Sequence, residues 1–247
     1  MGYPRTETCC WCDEQKAKIT ELDRKIAATK SDDIKVQLEK DVGKLKTEKT
    51  LHLKKADWFY ELKRRAKTEA KKSPTVEAIA IDFGKNLPTP NITSAEVYFR
   101  RQLSFHIFNV HILSTNASIM YTYDQTIAKK GSDDVASMLY HCFNTYLDPA
   151  VKKLSVFADS CGGQNKNHSI IQFFHYVTAE LKRFDTVTIT YPVRGHSFME
   201  PGKNMGLIPK SGKAETQNSW REVIEAARTK PYPFVVVSCE QSMYKKW

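Results

Sequence analysis

Apolar positions follow two different periods on the two sides of Pro74. From residue 13 to 72 they recur at three- and four-residue steps and leave charged faces between them, as at Ile19, Leu22 and Ile26. This spacing predicts helix, and so narrow a stripe is typical of a coiled-coil seam. The polar triplet Ser31-Asp32-Asp33 interrupts the register and supplies helix-capping residues. Two helices in a hairpin and one long kinked helix both fit this pattern.

After Pro74 the pattern predicts strands and then alternating helices and strands. The predicted strands cover Val76–Ile81, Val97–Leu113, Ala117–Tyr123, Leu154–Ala158, Thr186–Pro192 and Phe234–Val237. The predicted helices cover Asp133–Leu147, Ser169–Phe184 and Ser219–Thr229, with loops at Asn86–Pro90 and Gly195–Gly212. Three strands with short connections favour antiparallel pairing, and the later alternation favours parallel strands covered by helices. We therefore expect an α/β domain with a mixed sheet over 74–247, preceded by a helical, coiled-coil arm over 1–73.

Composition and charge narrow the class of protein. The chain has 247 residues and a net charge of +10, which suits a polyanionic partner such as nucleic acid. No apolar run approaches the roughly 20 residues that span a bilayer, and the first residues lack an apolar signal core. We expect an intracellular protein with no membrane partner. The helical arm is expected to dimerise the chain or to brace its body.

Two aspartates end apolar strands that lie far apart in the sequence. Asp82 follows Val76–Ile81, and Asp159 follows the run that ends at Ala158. A carboxylate at the end of a buried strand needs a proton, a cation or a polar partner. Both aspartates could instead be turn residues, Asp82 before Gly84 and Asp159 before Gly162-Gly163. Because two such coincidences are required, we favour a shared metal ion.

The element order β-β-β-α-β-α-β-α, with acids ending the first and fourth strands, resembles the ribonuclease H-like fold of ribonucleases H, retroviral integrases and DDE transposases. That fold makes these two strands neighbours and would bring Asp82 and Asp159 together. The block Asp159-Ser160-Cys161-Gly162-Gly163-Gln164-Asn165-Lys166-Asn167 extends the resemblance, together with Gly195-His196-Ser197-Phe198, Asn204–Ile208 and Asp82–Pro90. These motifs are similar to those of an uncharacterised domain family of transposon-like animal proteins, whose members carry a cysteine-containing helical segment ahead of the domain.

The resemblance implies phosphodiester cleavage or strand transfer with two Mg²⁺ or Mn²⁺ ions. Asp82 and Asp159 would bind these hard cations, and His196 would orient a water or leaving group, although a loop histidine bonded to backbone fits equally well. The side chains of Gln164, Asn165 and Lys166 would contact the substrate phosphate near a helix start. The substrate would be nucleic acid, with DNA favoured, which implies a nuclear location.

A third acid is expected after the fifth strand. The resemblance places an Asp-Arg pair where this chain has Gly202-Lys203. Glu200 is the nearest acidic substitute and is our candidate third catalytic and metal-binding residue. The later helix offers further candidates at Glu215, Glu222 and Glu225. Without a third acid, the domain would be a decayed or repurposed copy.

The six cysteines do not form a disulfide framework, since three cluster at Cys9, Cys10 and Cys12 and three are scattered. The spacing Cys9-x-x-Cys12 is that of half a zinc site. No Cys or His pair follows at finger spacing, and His52 lies 40 residues beyond Cys12. This pattern allows zinc but favours an incomplete site within this chain. Cys161 is expected to be a small buried residue, because no paired base is evident.

The function indicated is therefore a metal-dependent nuclease or transposase domain of ribonuclease H-like type. A catalytically inactive, nucleic-acid-binding or scaffolding relic of the same fold is the second hypothesis. The third is a phosphate- or nucleotide-binding protein that uses the Asp159–Asn167 loop. That loop lacks the lysine-terminated glycine pattern of a P-loop.

Overall fold

The computed structural model describes residues 9–92, 96, 100–208 and 214–247, which contain six α-helices and seven strands. The helices are α1 (Cys10–Ala28), α2 (Asp32–Lys72), α3 (Ser132–Thr145), α4 (His168–His175), α5 (Glu200–Gly206) and α6 (Gln217–Ala226). The strands are β1 (Val76–Phe83), β2 (Leu87–Thr89), β3 (Leu103–Ile112), β4 (Ser118–Asp124), β5 (Lys153–Ala158), β6 (Thr186–Thr190) and β7 (Val235–Ser238). A π-helical turn, Tyr176–Glu180, extends α4, and a 3-10 turn covers Gln241–Met243.

All seven strands belong to one mixed sheet. Its order is β6-β5-β1-β3-β4-β7, and β2 pairs with β3 outside this path. β1, β3 and β4 pair antiparallel, as their short connections favoured. β5 lies parallel to β1, β6 parallel to β5, and β7 parallel to β4. The expected α/β class with a mixed sheet is confirmed, as is the neighbouring position of the two strands that lead to Asp82 and Asp159.

Alternation along the central strands separates two apolar cores, because successive side chains point to opposite faces of a sheet. The larger core includes Ile79 and Ile81 of β1 and Phe143 of α3. The smaller core, on the other face, is built around Trp220 and Ile224 of α6. Trp220 is fully buried, and its indole N–H donates to the carbonyl oxygen of Pro88 at 2.9 Å.

The chain divides into two compact units. One comprises the described residues up to Leu62 together with Pro192–Phe198, and the other comprises Lys63–Tyr191 and Met199–Trp247. The division falls inside α2. In the first unit the helical segment breaks at residues 29–31, next to the polar triplet, so two helices form. Val42 and Phe59 are buried in α2, whereas Ile34 and Leu51 are exposed.

Local differences from the predicted elements have simple causes. α5 lies inside the predicted Gly195–Gly212 loop, because Pro201 suits a first helical turn even though Gly202 and Gly206 suggest a loop. Residues 209–212 of that loop lie outside the described residues. β2 lies in the predicted Asn86–Pro90 loop. The strand predicted from Val97 begins at Leu103, and residues 97–99 lie outside the described ranges.

Candidate functional site

The structure brings Asp82 and Asp159 to the same edge of the sheet. β1 and β5 are parallel and in register up to the pair formed by Ile81 and Ala158. Asp82 is the next residue of β1 and Asp159 directly follows β5, and the carboxyl ends of parallel strands lie at the same edge of a sheet. The pairing of backbone partners therefore places the two carboxylates beside each other.

The two carboxyl groups interact electrostatically. Burial, and then the negative charge of Asp159, raise the pKa of Asp82 from 3.8 to about 7. A hydrogen bond from the backbone of Phe83 and the charge of Lys130 act in the opposite direction without outweighing them. The raised pKa means that Lys130 does not offset burial and the negative charge of Asp159, so a proton or a further cation would stabilise this edge of the sheet.

The loop after Asp159 is held by its own hydrogen bonds. The backbone N–H groups of Asn165 and Lys166 each donate to the carbonyl oxygen of Cys161 at 2.9 Å. Asn167 then begins α4, since its side-chain oxygen accepts from the N–H of Ile170 at 3.0 Å. The Gly162-Gly163 step thus leads into a tight turn and a helix.

Asn165 links this turn to the carboxylate. Its side chain is fully buried, and its amide nitrogen donates to Asp159. The backbone carbonyl oxygen of Asn165 accepts a hydrogen bond from the Tyr191 hydroxyl at 2.6 Å. The side-chain oxygen of Asn165 is buried, with no hydrogen-bond partner in the described part of the chain. Asn165, which was predicted to contact the substrate, is thus positioned to orient the Asp159 carboxylate.

Lys130 interacts electrostatically with Asp82, and Lys166 lies in the turn that follows Asp159. Lys130 donates from its ammonium group to the carbonyl oxygen of Gly84 at 3.0 Å, and it lies 5.0 Å from the centroid of the Phe83 ring. Burial lowers the pKa of Lys130, and the charge of Asp82 opposes that shift. Lys166 is exposed, with its ammonium group 5.4 Å from the centroid of the Tyr191 ring. Gln164, the remaining predicted substrate contact, is partly buried at the turn before α4.

Glu200 begins α5, which packs on the face of the sheet that carries Asp82. Asp82 is paired with Asn109 across β1 and β3, so both side chains point to one face. The Asn109 side-chain oxygen accepts from Asn204 of α5 at 3.0 Å. Asn204 also donates to the Ser118 hydroxyl at 2.8 Å. Buried amide and hydroxyl groups therefore fix α5 on the sheet.

Glu200 forms an ion pair with Lys63 at 2.8 Å, and both side chains are largely buried. Burial would raise the pKa of Glu200, but the hydrogen bond and charge of Lys63 hold it below its usual range. Among the described residues, the carboxylate oxygens of Asp82, Asp159 and Glu200 do not all lie within 4.8 Å of one another. Glu200 thus has a cationic partner and does not complete a three-carboxylate group.

A second group of ligand atoms lies wholly within the first compact unit, which comprises the described residues up to Leu62 and Pro192–Phe198 and is called the helical unit below. Cys9, Cys12, His52 and His196 each offer one atom, and these atoms all lie within 4.8 Å of one another. His196, predicted to orient a water or leaving group, therefore lies beside two thiols and a second imidazole. Burial, and then Cys9, raise the pKa of Cys12. Burial, followed by His196 and Lys55, lowers the pKa of His52, which favours its neutral form.

Sequence inspection missed two of these residues for different reasons. His52 was the nearest further ligand for Cys9-x-x-Cys12, but finger spacing does not anticipate a ligand in the middle of a second helix. Lys130 lies at the left-handed φ of 68° between β4 and α3, and no local motif marks it. The proximity of Asp82 and Asp159, in contrast, was expected from the resemblance of the element order to the ribonuclease H-like fold. Cys161 is partly exposed rather than buried.

Comparisons of the chain with protein-family models, with curated proteins and with solved structures find no match. Within the described residues, none of the helices is both long enough and apolar enough to cross a bilayer.

Proposed function

We propose that this chain carries a ribonuclease H-like domain of transposon-like origin that uses Mg²⁺ or Mn²⁺ to cleave or transfer phosphodiester bonds of nucleic acid. The observation that carries the proposal is the pair of carboxylates, Asp82 and Asp159, at adjacent ends of two parallel strands. The order of the elements supports it, since three antiparallel strands are followed by two parallel strands on the other side of β1.

The residues present fit one divalent cation. Mg²⁺ is commonly held by one or two carboxylates, with waters and substrate phosphate as its other ligands. Asp82 and Asp159 would supply the carboxylates, and the unpartnered, buried side-chain oxygen of Asn165 adds a polar group beside them. Such an ion would help to generate the attacking hydroxide or to stabilise the leaving oxygen.

The residues around the two carboxylates would orient Asp159 and supply positive charge for the substrate. Asn165 holds the Asp159 carboxylate in one orientation, and Tyr191 holds the backbone of Asn165. Lys130 places positive charge near Asp82, where it would attract a substrate phosphate, and Lys166 adds an exposed positive charge over the Tyr191 ring. The net charge of +10 favours the approach of a polyanion over the whole chain.

The test is a nicking assay on end-labelled DNA, in Mg²⁺ and in Mn²⁺, with the wild type, Asp159→Asn and Asp185→Asn. Asp185 is an exposed aspartate before β6 and serves as the matched control. We expect metal-dependent cleavage by the wild type and by Asp185→Asn, and at least a hundredfold loss in Asp159→Asn. Absence of metal-dependent cleavage by the wild type, or equal cleavage by Asp159→Asn, would contradict the catalytic proposal.

The ion pair between Lys63 and Glu200 favours a second function, which is nucleic-acid binding without cleavage. A two-metal site needs ligands beyond two carboxylates, and Glu200 is neutralised by a lysine instead. Fluorescence anisotropy on the same DNA distinguishes the two functions. Binding by both the wild type and Asp159→Asn, with no cleavage by either, would select this second function. Absence of both binding and cleavage would reject both functions.

A further inference from the structure

We propose that Cys9, Cys12, His52 and His196 bind one structural Zn²⁺ ion within the helical unit. Each of the four side chains offers a ligand atom, and all four atoms lie within 4.8 Å of one another. Two thiolates and two imidazoles are a common ligand set of closed zinc sites. The proposal does not depend on phosphodiester cleavage.

The separations between the ligand atoms match those around a tetrahedral zinc ion. Cys9 Sγ lies 3.5 Å from His52 Nε2, and Cys12 Sγ lies 3.5 Å from His196 Nε2. With Zn–S near 2.3 Å and Zn–N near 2.0 Å, a tetrahedron places sulfur and nitrogen about 3.5 Å apart. One thiol–imidazole hydrogen bond could have the same length. Two such pairs meeting at a single point are better explained by a shared ion.

The backbone brings the ligands together from three segments. Cys9 precedes α1 and Cys12 lies in its first turn, so the short spacing directs both sulfurs to one place. His52 comes from the middle of α2, where it stacks on Trp11 with ring centroids 4.4 Å apart. His196 comes from the loop after β6, and the Tyr60 hydroxyl donates to its carbonyl oxygen at 2.9 Å.

Gly195 allows the loop to approach Cys9. Its φ is +84°, a left-handed conformation that suits glycine, and a Cβ there would lie 2.8 Å from Cys9 Sγ and 2.9 Å from Cys9 Cα. The next residue is His196. The glycine therefore positions one ligand while making room for another, as a built binding site requires.

The ligand chemistry selects zinc and a structural role. A tetrahedral S₂N₂ set favours zinc over Mg²⁺ or Ca²⁺, which prefer oxygen. Four protein ligands leave no open position for substrate, unlike a catalytic zinc site. The ion would join α1, α2 and the Pro192–Phe198 loop, which are far apart in sequence. Metal binding would then contribute directly to the folding of this unit.

The first test measures zinc in the full chain purified under reducing conditions without added metal. We expect about one zinc per chain by plasma mass spectrometry for the wild type and for Cys10→Ser. Cys10 is exposed and adjacent to the ligands, which makes it the matched control. Cys12→Ser and His196→Ala are expected to retain at least fivefold less zinc. Equal retention by Cys12→Ser and Cys10→Ser would overturn the proposal.

The second test uses only the wild type, so it does not depend on the folding of a variant. The chain is stripped with a chelator under reducing conditions and titrated with Co²⁺. The absorption of tetrahedral cobalt with a thiolate-to-metal charge-transfer band should appear and saturate at one equivalent. Zn²⁺ should then displace the cobalt and abolish the spectrum. Absence of a thiolate-to-cobalt band would overturn the proposal.

Discussion

Replacing Asp82 by asparagine should make the protein more stable than the wild type at pH 8, by an amount that shrinks as the pH falls. The pKa of Asp82 is about 7 in the folded chain, against 3.8 for an ordinary aspartate. The folded state therefore holds its proton more tightly than the unfolded state. Between these two values the unfolded state ionises first, so the wild type loses stability as the pH rises.

The magnitude follows from the two pKa values. One pKa unit corresponds to about 1.4 kcal/mol. With values of 3.8 and about 7, the wild type should lose about 2–3 kcal/mol relative to Asp82→Asn between pH 5 and pH 8. Above pH 8 the difference should level off, because Asp82 is then ionised in both states. Below about pH 3 this pH-dependent difference should vanish, because Asp82 is then protonated in both states.

Urea unfolding followed by circular dichroism at pH 5, 6, 7 and 8 measures this difference, with Asp185→Asn as the control. Adding Asp159→Asn separates the two causes of the shift. Removing the negative charge of Asp159 should lower the pKa of Asp82, so the pH range over which stability is lost should shift downward. The part of the pKa shift that burial causes should remain. An Asp82→Asn difference that stays constant from pH 5 to pH 8 would refute the interaction between the two carboxylates.

Three further predictions rest on particular contacts. Lys63→Met should lower the free energy of unfolding by about 1–3 kcal/mol in urea titrations, because Glu200 loses its ion pair with Lys63. Adding Glu200→Gln to this variant should recover part of the loss. Gly195→Ala should lower both the thermal unfolding midpoint and the zinc content of the protein, because a Cβ there would meet Cys9. The control Gly202→Ala in α5 should stabilise the protein by up to about 1 kcal/mol, since a Cβ there meets nothing within 4 Å. A Gly195→Ala chain with the wild-type midpoint and zinc content would count against the proposed packing on Cys9. Asn204→Ala should cost about 2–3 kcal/mol by leaving Asn109 and Ser118 short of buried partners, and a change below 0.5 kcal/mol would show that α5 is held by other contacts.

The sequence predicted the part of the fold that depends on local periodicity. The continuous apolar runs before Asp82 and Asp159 indicated buried strands, and the resemblance to the ribonuclease H-like fold implied that these strands are neighbours. α5 was missed because Pro201, Gly202 and Gly206 carry loop signals, while its stability comes from the Asn204 contacts with β3 and β4. Those contacts join residues nearly 100 positions apart, which no local pattern reveals.

The ligand groups show the same limit more sharply. Cys9-x-x-Cys12 was visible as half a zinc site, but its completion requires His52 from α2 and His196 from a loop 184 residues after Cys12. His196 was interpreted from its position after a core strand, beside the expected catalytic acids. Only the tertiary structure places it with the two thiols.

The most direct measurement of the central claim is anomalous diffraction from crystals of the chain grown with Mn²⁺. We expect an anomalous peak within metal–oxygen bonding distance of carboxylate oxygens of both Asp82 and Asp159, and its loss in crystals of Asp159→Asn. A well-ordered sheet edge with no peak between these two residues at saturating Mn²⁺ would show that they do not form a metal site.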